Sequence, residues 1–242
     1  MKTQLMIHCG GTPAALGDLQ SVPLPEETET YKTISHYDLV TNIERVACDM
    51  LRDYTFDKGM YALAKDGARM FGVHTYSTES SDLSLAIGFR NSYDKTLSVG
   101  IAVGAAVQIC DNLMFAGQIT VLRKHTRNVI DDLELAILKV VYKSQHHFIR
   151  MTEAAERMRG LSMTDDDAYK LLGLLFGRQI LMPRQLTVAK QEWSKPGYPA
   201  FLPRTGWSFY NAITTALKST PPNRILERHI ALHDLMKEWD DN

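Results

Sequence analysis

The chain has 242 residues, of which 45% are hydrophobic and 23% charged, with a formal net charge of −1. These are the values of a globular protein able to bury a sizeable core; they exclude a disordered chain and any whole-molecule attraction to nucleic acid or anionic lipid, so that such binding needs a local patch. The three cysteines lie far apart, which suggests neither a disulfide framework nor a four-ligand zinc site, and no run approaches a signal-peptide core or the ~20 apolar residues of a membrane span. A reducing cytoplasm and no membrane partner are expected.

Residues 1–30 carry Gly10-Gly11-Thr12-Pro13 and Val22-Pro23-Leu24-Pro25, and alternate prolines disfavour helix and central strand. An extended N-terminal arm is expected there. Ser35 to Asp38 then offer capping residues ahead of Leu39, Val40, Ile43, Val46, Ala47 and Met50, whose spacing by three and four predicts an amphipathic helix ending near Tyr54. Gly59–Leu63 and Ala68–His74 flank Ala64-Lys65-Asp66-Gly67, and Asp-Gly favours a hairpin turn because both residues tolerate positive φ.

The densest strand-like stretch runs from Leu83 to Thr126. Leu83, Leu85, Ile87 and Phe89 alternate with Ser84, Ala86, Gly88 and Arg90, a period of two that predicts a half-buried strand. Asn91 to Thr96 form a polar hairpin tip, and the alternation resumes at Leu97, Val99, Ile101 and Val103. A small-residue strand continues from Ala105 to Cys110, with Gly100 and Gly104 marking a bulge or a close backbone approach. A last strand, Gln118 to Leu122, leads into the basic run Arg123-Lys124-His125-Thr126-Arg127.

From Asn128 to Arg159 apolar residues recur every three or four positions, which predicts a long helix stopped at Gly160. Thr164 followed by three aspartates starts another helix; Pro183 to Arg204 read as irregular; Trp207 to Lys218 and Arg224 to Trp239 read as helices. The sum is an α+β fold: an antiparallel β-meander sheet packed by a long helix, with a core domain over residues 31–160 and a helical C-terminal extension over 161–242 packed on it.

Four blocks in this order carry a resemblance: Arg90-Asn91-Ser92-Tyr93-Asp94-Lys95, Cys110-Asp111-Asn112, Arg123-Lys124-His125-Thr126, and Trp207 with Tyr210-Asn211-Ala212-Ile213-Thr214. From about Tyr31 to Lys218 the chain resembles the phage/plasmid-like protein family known as domain of unknown function 932. The family's usual hairpin-turn glycine is Lys95 here, so a different turn type is expected. The resemblance implies residence on phages or plasmids, and so the cytoplasm of a host cell, but brings no catalytic residues. The order helix, meander, long helix is also similar to the core of single-strand annealing recombinases, which form rings and hold nucleic acid in a basic groove; this is analogy of fold alone.

No catalytic motif occurs in the chain. Arg123, Lys124, His125 and Arg127, with Arg90 and Lys95, are the candidate phosphate contacts, and Tyr93 or Tyr142 could stack on unpaired bases; the plainer alternative is a solvated strand end neutralised by Asp131, Asp132 and Glu134. Tyr93, Asn112, Trp207 and Asn211 are structural or recognition residues, with core packing the cheaper reading for Trp207 and Tyr210. Cys110 beside Asp111 and Asn112 reads more simply as buried packing and a turn than as a nucleophile. His229 and His233 lie four apart on a helix, but no third ligand is marked, and neither a metal nor another cofactor is expected. The expected function is non-enzymatic binding of nucleic acid, single-stranded DNA foremost, in a recombination role by a homo-oligomer. The alternative is a protein-interaction module that inhibits or redirects a host or anti-phage defence factor.

Overall fold

The computed structural model describes residues 11–29, 32–79, 81–110, 112–116, 120–121, 129–221 and 224–240. Among these, seven strands form one antiparallel sheet: β1 (Thr12–Ala14), β2 (Thr55–Ala64), β3 (Arg69–Ser77), β4 (Leu83–Ser92), β5 (Gly100–Val107) and β6 (Asn112–Phe115) in sequential order, with β7 (Thr120–Val121) also pairing with β5. Seven α-helices accompany it: α1 (Leu16–Ser21), α2 (His36–Met50), α3 (Val129–Gly160), α4 (Asp165–Gly177), α5 (Pro183–Ser194), α6 (Gly206–Leu217) and α7 (Ile225–Asp240). The fold is α+β, a β-meander with a long helix and C-terminal helices.

Hairpin turns set the register. Lys65, Asp66 and Gly67 all adopt positive φ (55°, 54° and 86°), the conformation the Asp-Gly pair favours, and they place Ala64 opposite Arg69. At the β4–β5 tip Lys95 takes φ 60°, the left-handed conformation that glycine adopts without strain, so the lysine fills a glycine's geometry at some cost. Its neighbour Asp94 braces the turn. Burial pushes the Asp94 carboxyl up, but hydrogen bonds from the Thr96 hydroxyl and amide and from Arg69 outweigh it and bring the pKa down to about 2.

The alternation of Leu83, Leu85, Ile87 and Phe89 points these four into the main core with α2 and α3. The strand is not half-buried, however. Ser84, Ala86, Gly88 and Arg90 on the other face are buried too, and Ala86 belongs to a second apolar cluster with Phe71, Val73, Ala102 and Phe115 that the start of α7 covers with Ile225 and Leu226. A helix arriving more than a hundred residues later cannot be read from a local period. Gly104 marks a close approach, since a Cβ there would lie 2.3 Å from the Met114 carbonyl oxygen.

Three local expectations are corrected, and a fourth lies partly outside the described residues. The N-terminal segment is not simply extended: β1 pairs with β2 and α1 buries Leu19. The strand ends at Val107 rather than Cys110, and a turn returns the chain as β6. Of the expected strand at Gln118–Leu122 only Thr120–Val121 fall within the described residues, as β7. Pro183–Ser194 is a helix, because Pro183 occupies its first turn, where a missing N–H costs nothing, and the Gln185 side chain accepts a hydrogen bond from the Met182 N–H at 2.9 Å. One hydrophobic cluster runs from α2 and the sheet through α3 to α4, α5, α6 and α7, so the C-terminal helices share the core of the sheet.

Candidate nucleic-acid interface

Helix α3 has 32 residues and spans ~48 Å at 1.5 Å per residue. One face buries Leu133, Ile137, Val141, Phe148, Met151, Ala155 and Met158. Beside that face a second stripe follows the same helical period: Lys139, Lys143, His147, Arg150, Ala154 and Arg157, at steps of four, four, three, four and three. Six positions at this spacing share one flank of the helix.

This flank is the wall of a groove. Two cavities of about 160 and 240 Å³ adjoin at Ala116 and His147. The first is lined by Ile101 and Val103 of β5 and by Lys139, Val140 and Lys143; the second by Arg150, Met151, Ala154 and Arg157, with His233 and Lys237 of α7 opposite. Ala154 keeps the wall low where α7 approaches. The described lining holds seven basic side chains, counting Lys139, Lys143, His147, Arg150, Arg157, His233 and Lys237, and no carboxylate. Lys139, Lys143 and Arg150 make no ion pair among the described residues, whereas the exposed cations Arg45 and Arg178 are paired with Glu134 and Glu238.

The histidines register the resulting field. His147 has its pKa lowered by burial and then by the positive charges of His146, Arg150 and Lys143. His233 is lowered by burial and by Lys237 and Arg157, with Asp234 acting in the opposite direction. Burial is the main cause at both rings; the neighbouring cations add to it at His147, while at His233 Asp234 opposes them.

The residues singled out from sequence fall elsewhere. Arg123, Lys124, His125 and Arg127 lie outside the described residues, as do Asp111 and the start of the arm. Arg90 is only 7% exposed, and its guanidinium sits 2.6 Å from Glu227 of α7. It joins helix to sheet rather than facing solvent, which corrects its expected place in a phosphate patch. Lys95 is exposed at the β4–β5 tip and does not line the groove. Tyr93 is buried, stacked on His36 with centroids 3.8 Å apart, and its hydroxyl accepts a hydrogen bond from the His36 N–H. No face of Tyr93 is left for a base; Tyr142, by contrast, is 75% exposed.

Asn112, Asn211 and Trp207 meet in the interior. The Asn112 amide donates to the Asn211 side-chain oxygen at 2.9 Å and to its carbonyl at 3.2 Å, while Asn211 donates to the Trp207 carbonyl at 3.0 Å. Trp207 stacks on Tyr210, and Arg159 lies over its indole at 5.2 Å. Cys110 is buried, with its sulfur 4.0 Å from the Asn211 oxygen, and the Lys218 ammonium caps the Cys110 carbonyl at 2.9 Å. Together they tie β6 to α6. His229 packs edge-on against Phe115 at 5.9 Å in the core, so it and His233 serve different surroundings; no group of three potential metal ligands occurs among the described residues.

The groove residues of α3 are inconspicuous in the sequence beside the linear run of four cations, because charges spaced by helical turns are diluted in sequence and concentrated in space. The signal was present: a basic stripe running parallel to the apolar one.

Fold and groove together define an α+β protein in which an antiparallel meander supports one long helix with a polybasic flank. Residues 30–234 match the family model described as Domain of unknown function (DUF932), and the chain belongs to that family. No curated protein and no solved structure matches the chain. No helix among the described residues is long and apolar enough to cross a membrane.

Proposed function

We propose that this chain is a non-enzymatic, phage- or plasmid-borne protein that binds single-stranded nucleic acid along α3, in a recombination role of the strand-annealing kind. The observation that supports it is the groove itself, with its basic side chains and no carboxylate in the described lining. From Lys139 to Arg157 it runs ~27 Å, room for roughly eight nucleotides at 3.4 Å rise. Binding there is chiefly phosphate recognition. It is therefore tolerant of sequence and steeply dependent on salt. Arg123, Lys124, His125 and Arg127, outside the described residues, remain further candidate phosphate contacts in this reading.

Fluorescence anisotropy of a labelled oligothymidylate at increasing salt tests the reading. Each phosphate neutralised contributes about −0.7 to the slope of log K against log salt for a single strand. Lys143→Ala/Arg150→Ala should flatten that slope by ~1.4 and weaken binding at least tenfold at low salt. Undetectable binding by the unaltered protein, or an unchanged slope in the variant, removes the proposal.

A second observation supports a protein contact. Leu135, Leu138, Tyr142 and Ile149 are all exposed and recur at steps of three, four and seven on the solvent side of α3, a coiled-coil spacing. We assign this stripe to a second copy of the chain. A two-fold antiparallel crossing at Tyr142 brings both basic flanks to the same side and joins the two grooves. Light scattering should show a dimer or larger assembly that Tyr142→Glu reduces to monomer. A chain monomeric with and without oligonucleotide sinks self-association and leaves the stripe to the alternative, a module that blocks or redirects a host or anti-phage factor.

A further inference from the structure

We propose a second site, separate from the groove: a small cleft on the α7-facing side of the sheet that binds a neutral polyhydroxylated molecule through adjacent hydroxyls, as in a sugar diol. The cleft measures about 350 Å³, is lined by Asp57, Lys58, Thr75, Ser77, Ser84 and Gln108 with Ala106 and Val107 in its floor, and opens at Ser77 and Gln108 into a wider hollow of about 640 Å³.

Two independent features mark it. Thr75 is 1% exposed and its buried hydroxyl has no hydrogen-bond partner among the described residues, although a buried hydroxyl that bonds to nothing is costly. A β-bulge lies between Phe56 and Lys58, where Lys58 pairs with Thr75 and Asp57 is the extra, unpaired residue. Bulges redirect side chains. Here the redirected carboxylate of Asp57 reaches across to Ser84, whose hydroxyl donates to it at 2.9 Å.

The chemistry of the ligand follows from which hydrogens are already spent. Ser84 gives its proton to Asp57; Gln108 donates to the Ser84 oxygen and to the Ser81 carbonyl, each at 3.4 Å; Ser77 donates to the Thr55 carbonyl at 3.5 Å. What the lining has left is then a surplus of acceptors, the second carboxylate oxygen and the Gln108 and Ser77 oxygens, and one hydroxyl, Thr75, able to give and take. A complementary ligand presents several O–H donors close together. Asp57 and Lys58 both line the cleft and bring one charge of each sign, which favours a neutral ligand over a cation or a phosphate, and the alanine floor suits the C–H face of a sugar ring.

The probe is D-ribose, titrated into the isotopically labelled protein and followed by amide chemical shifts, with 2-deoxy-D-ribose as the comparator lacking one hydroxyl. D-ribose should shift the amides of Thr75, Ser84 and Gln108 and bind more tightly than the deoxy sugar. Thr75→Val, which removes only the hydroxyl, and Asp57→Asn at the exposed rim should each weaken D-ribose ~10-fold. Thr75→Val should keep or raise the Tm, because the replaced hydroxyl has no partner among the described residues. The proposal is overturned by absent shifts, by D-ribose affinity unchanged in both variants, or by a Tm that falls in Thr75→Val, which would give that hydroxyl to the fold. Oligonucleotide binding should be unaffected by either change.

Discussion

Two polar regions of this protein are built in opposite ways. Between β6 and α6, Asn112 and Asn211 are almost wholly buried and mutually hydrogen-bonded, with Thr215, Trp207 and Lys218 bonding around them. Along α3, Lys143 and Arg150 are exposed and make no ion pair among the described residues. The first region has its hydrogen-bonding capacity used internally; the second leaves positive charge turned outward. Matched polar groups in the interior specify which elements meet, whereas unmatched like charges on a surface destabilise slightly and persist where something else neutralises them.

The difference is testable by stability, and the largest effect should come from the buried pair. Asn211→Ala leaves the Asn112 amide facing a void and opens the contact with Trp207, so chemical denaturation should show a loss of about 3 kcal/mol. The folded fraction should bind oligonucleotide as before. A loss below ~1 kcal/mol would mean that water replaces the missing amide and that the pair is not what joins β6 to α6.

Acid should act on the interior next. His74, bonded to the Tyr61 hydroxyl at 2.9 Å, and His229 are both pushed by burial from 6.5 to about 4. Between those values the unfolded chain takes up protons that the folded chain refuses, so stability is fully present above 6.5 and declines as the pH falls toward 4. Each histidine contributes about 1 kcal/mol per pH unit across that window, seen as a falling Tm. Asp94, held near 2, acts only at lower pH, so a Tm that is flat from 6.5 to 4 would place the two rings in contact with solvent.

The same contrast governs what could be read from the chain without its structure. The Leu83–Phe89 alternation, the Asp66-Gly67 turn and the period of α3 are local, and each fixes an element within a residue or two. The blocks that carry the family resemblance are equally easy to see, but those within the described residues mark interior contacts: Asn91 bonds the Ile34 carbonyl and the His36 ring, Tyr93 stacks on His36, and Asn112 meets Asn211. Arg90 reads as a surface cation in the sequence because its partner Glu227 lies 137 residues away. Helix α5 is hidden in a proline-rich stretch, although one of those prolines starts it. The groove was hidden for a different reason: its charges come from two helices and share a face only once α3 is wound and α7 is laid beside it.

The smallest effect on stability, and the sharpest test of the contrast, belongs to Lys143→Ala/Arg150→Ala. Neither side chain contacts an acid among the described residues, both are exposed, and alanine is the better helix former, so unfolding should shift by no more than ~0.5 kcal/mol, with relief of mutual repulsion among Lys143, His147 and Arg150 favouring a gain. A variant as stable as the parent that binds single strands with a flatter salt dependence separates affinity from folding. Asn211→Ala should do the converse. If instead the double variant unfolds more easily by a kilocalorie or more, those cations serve the packing of α3, and the groove becomes a seam of the fold with no claim on an anionic partner.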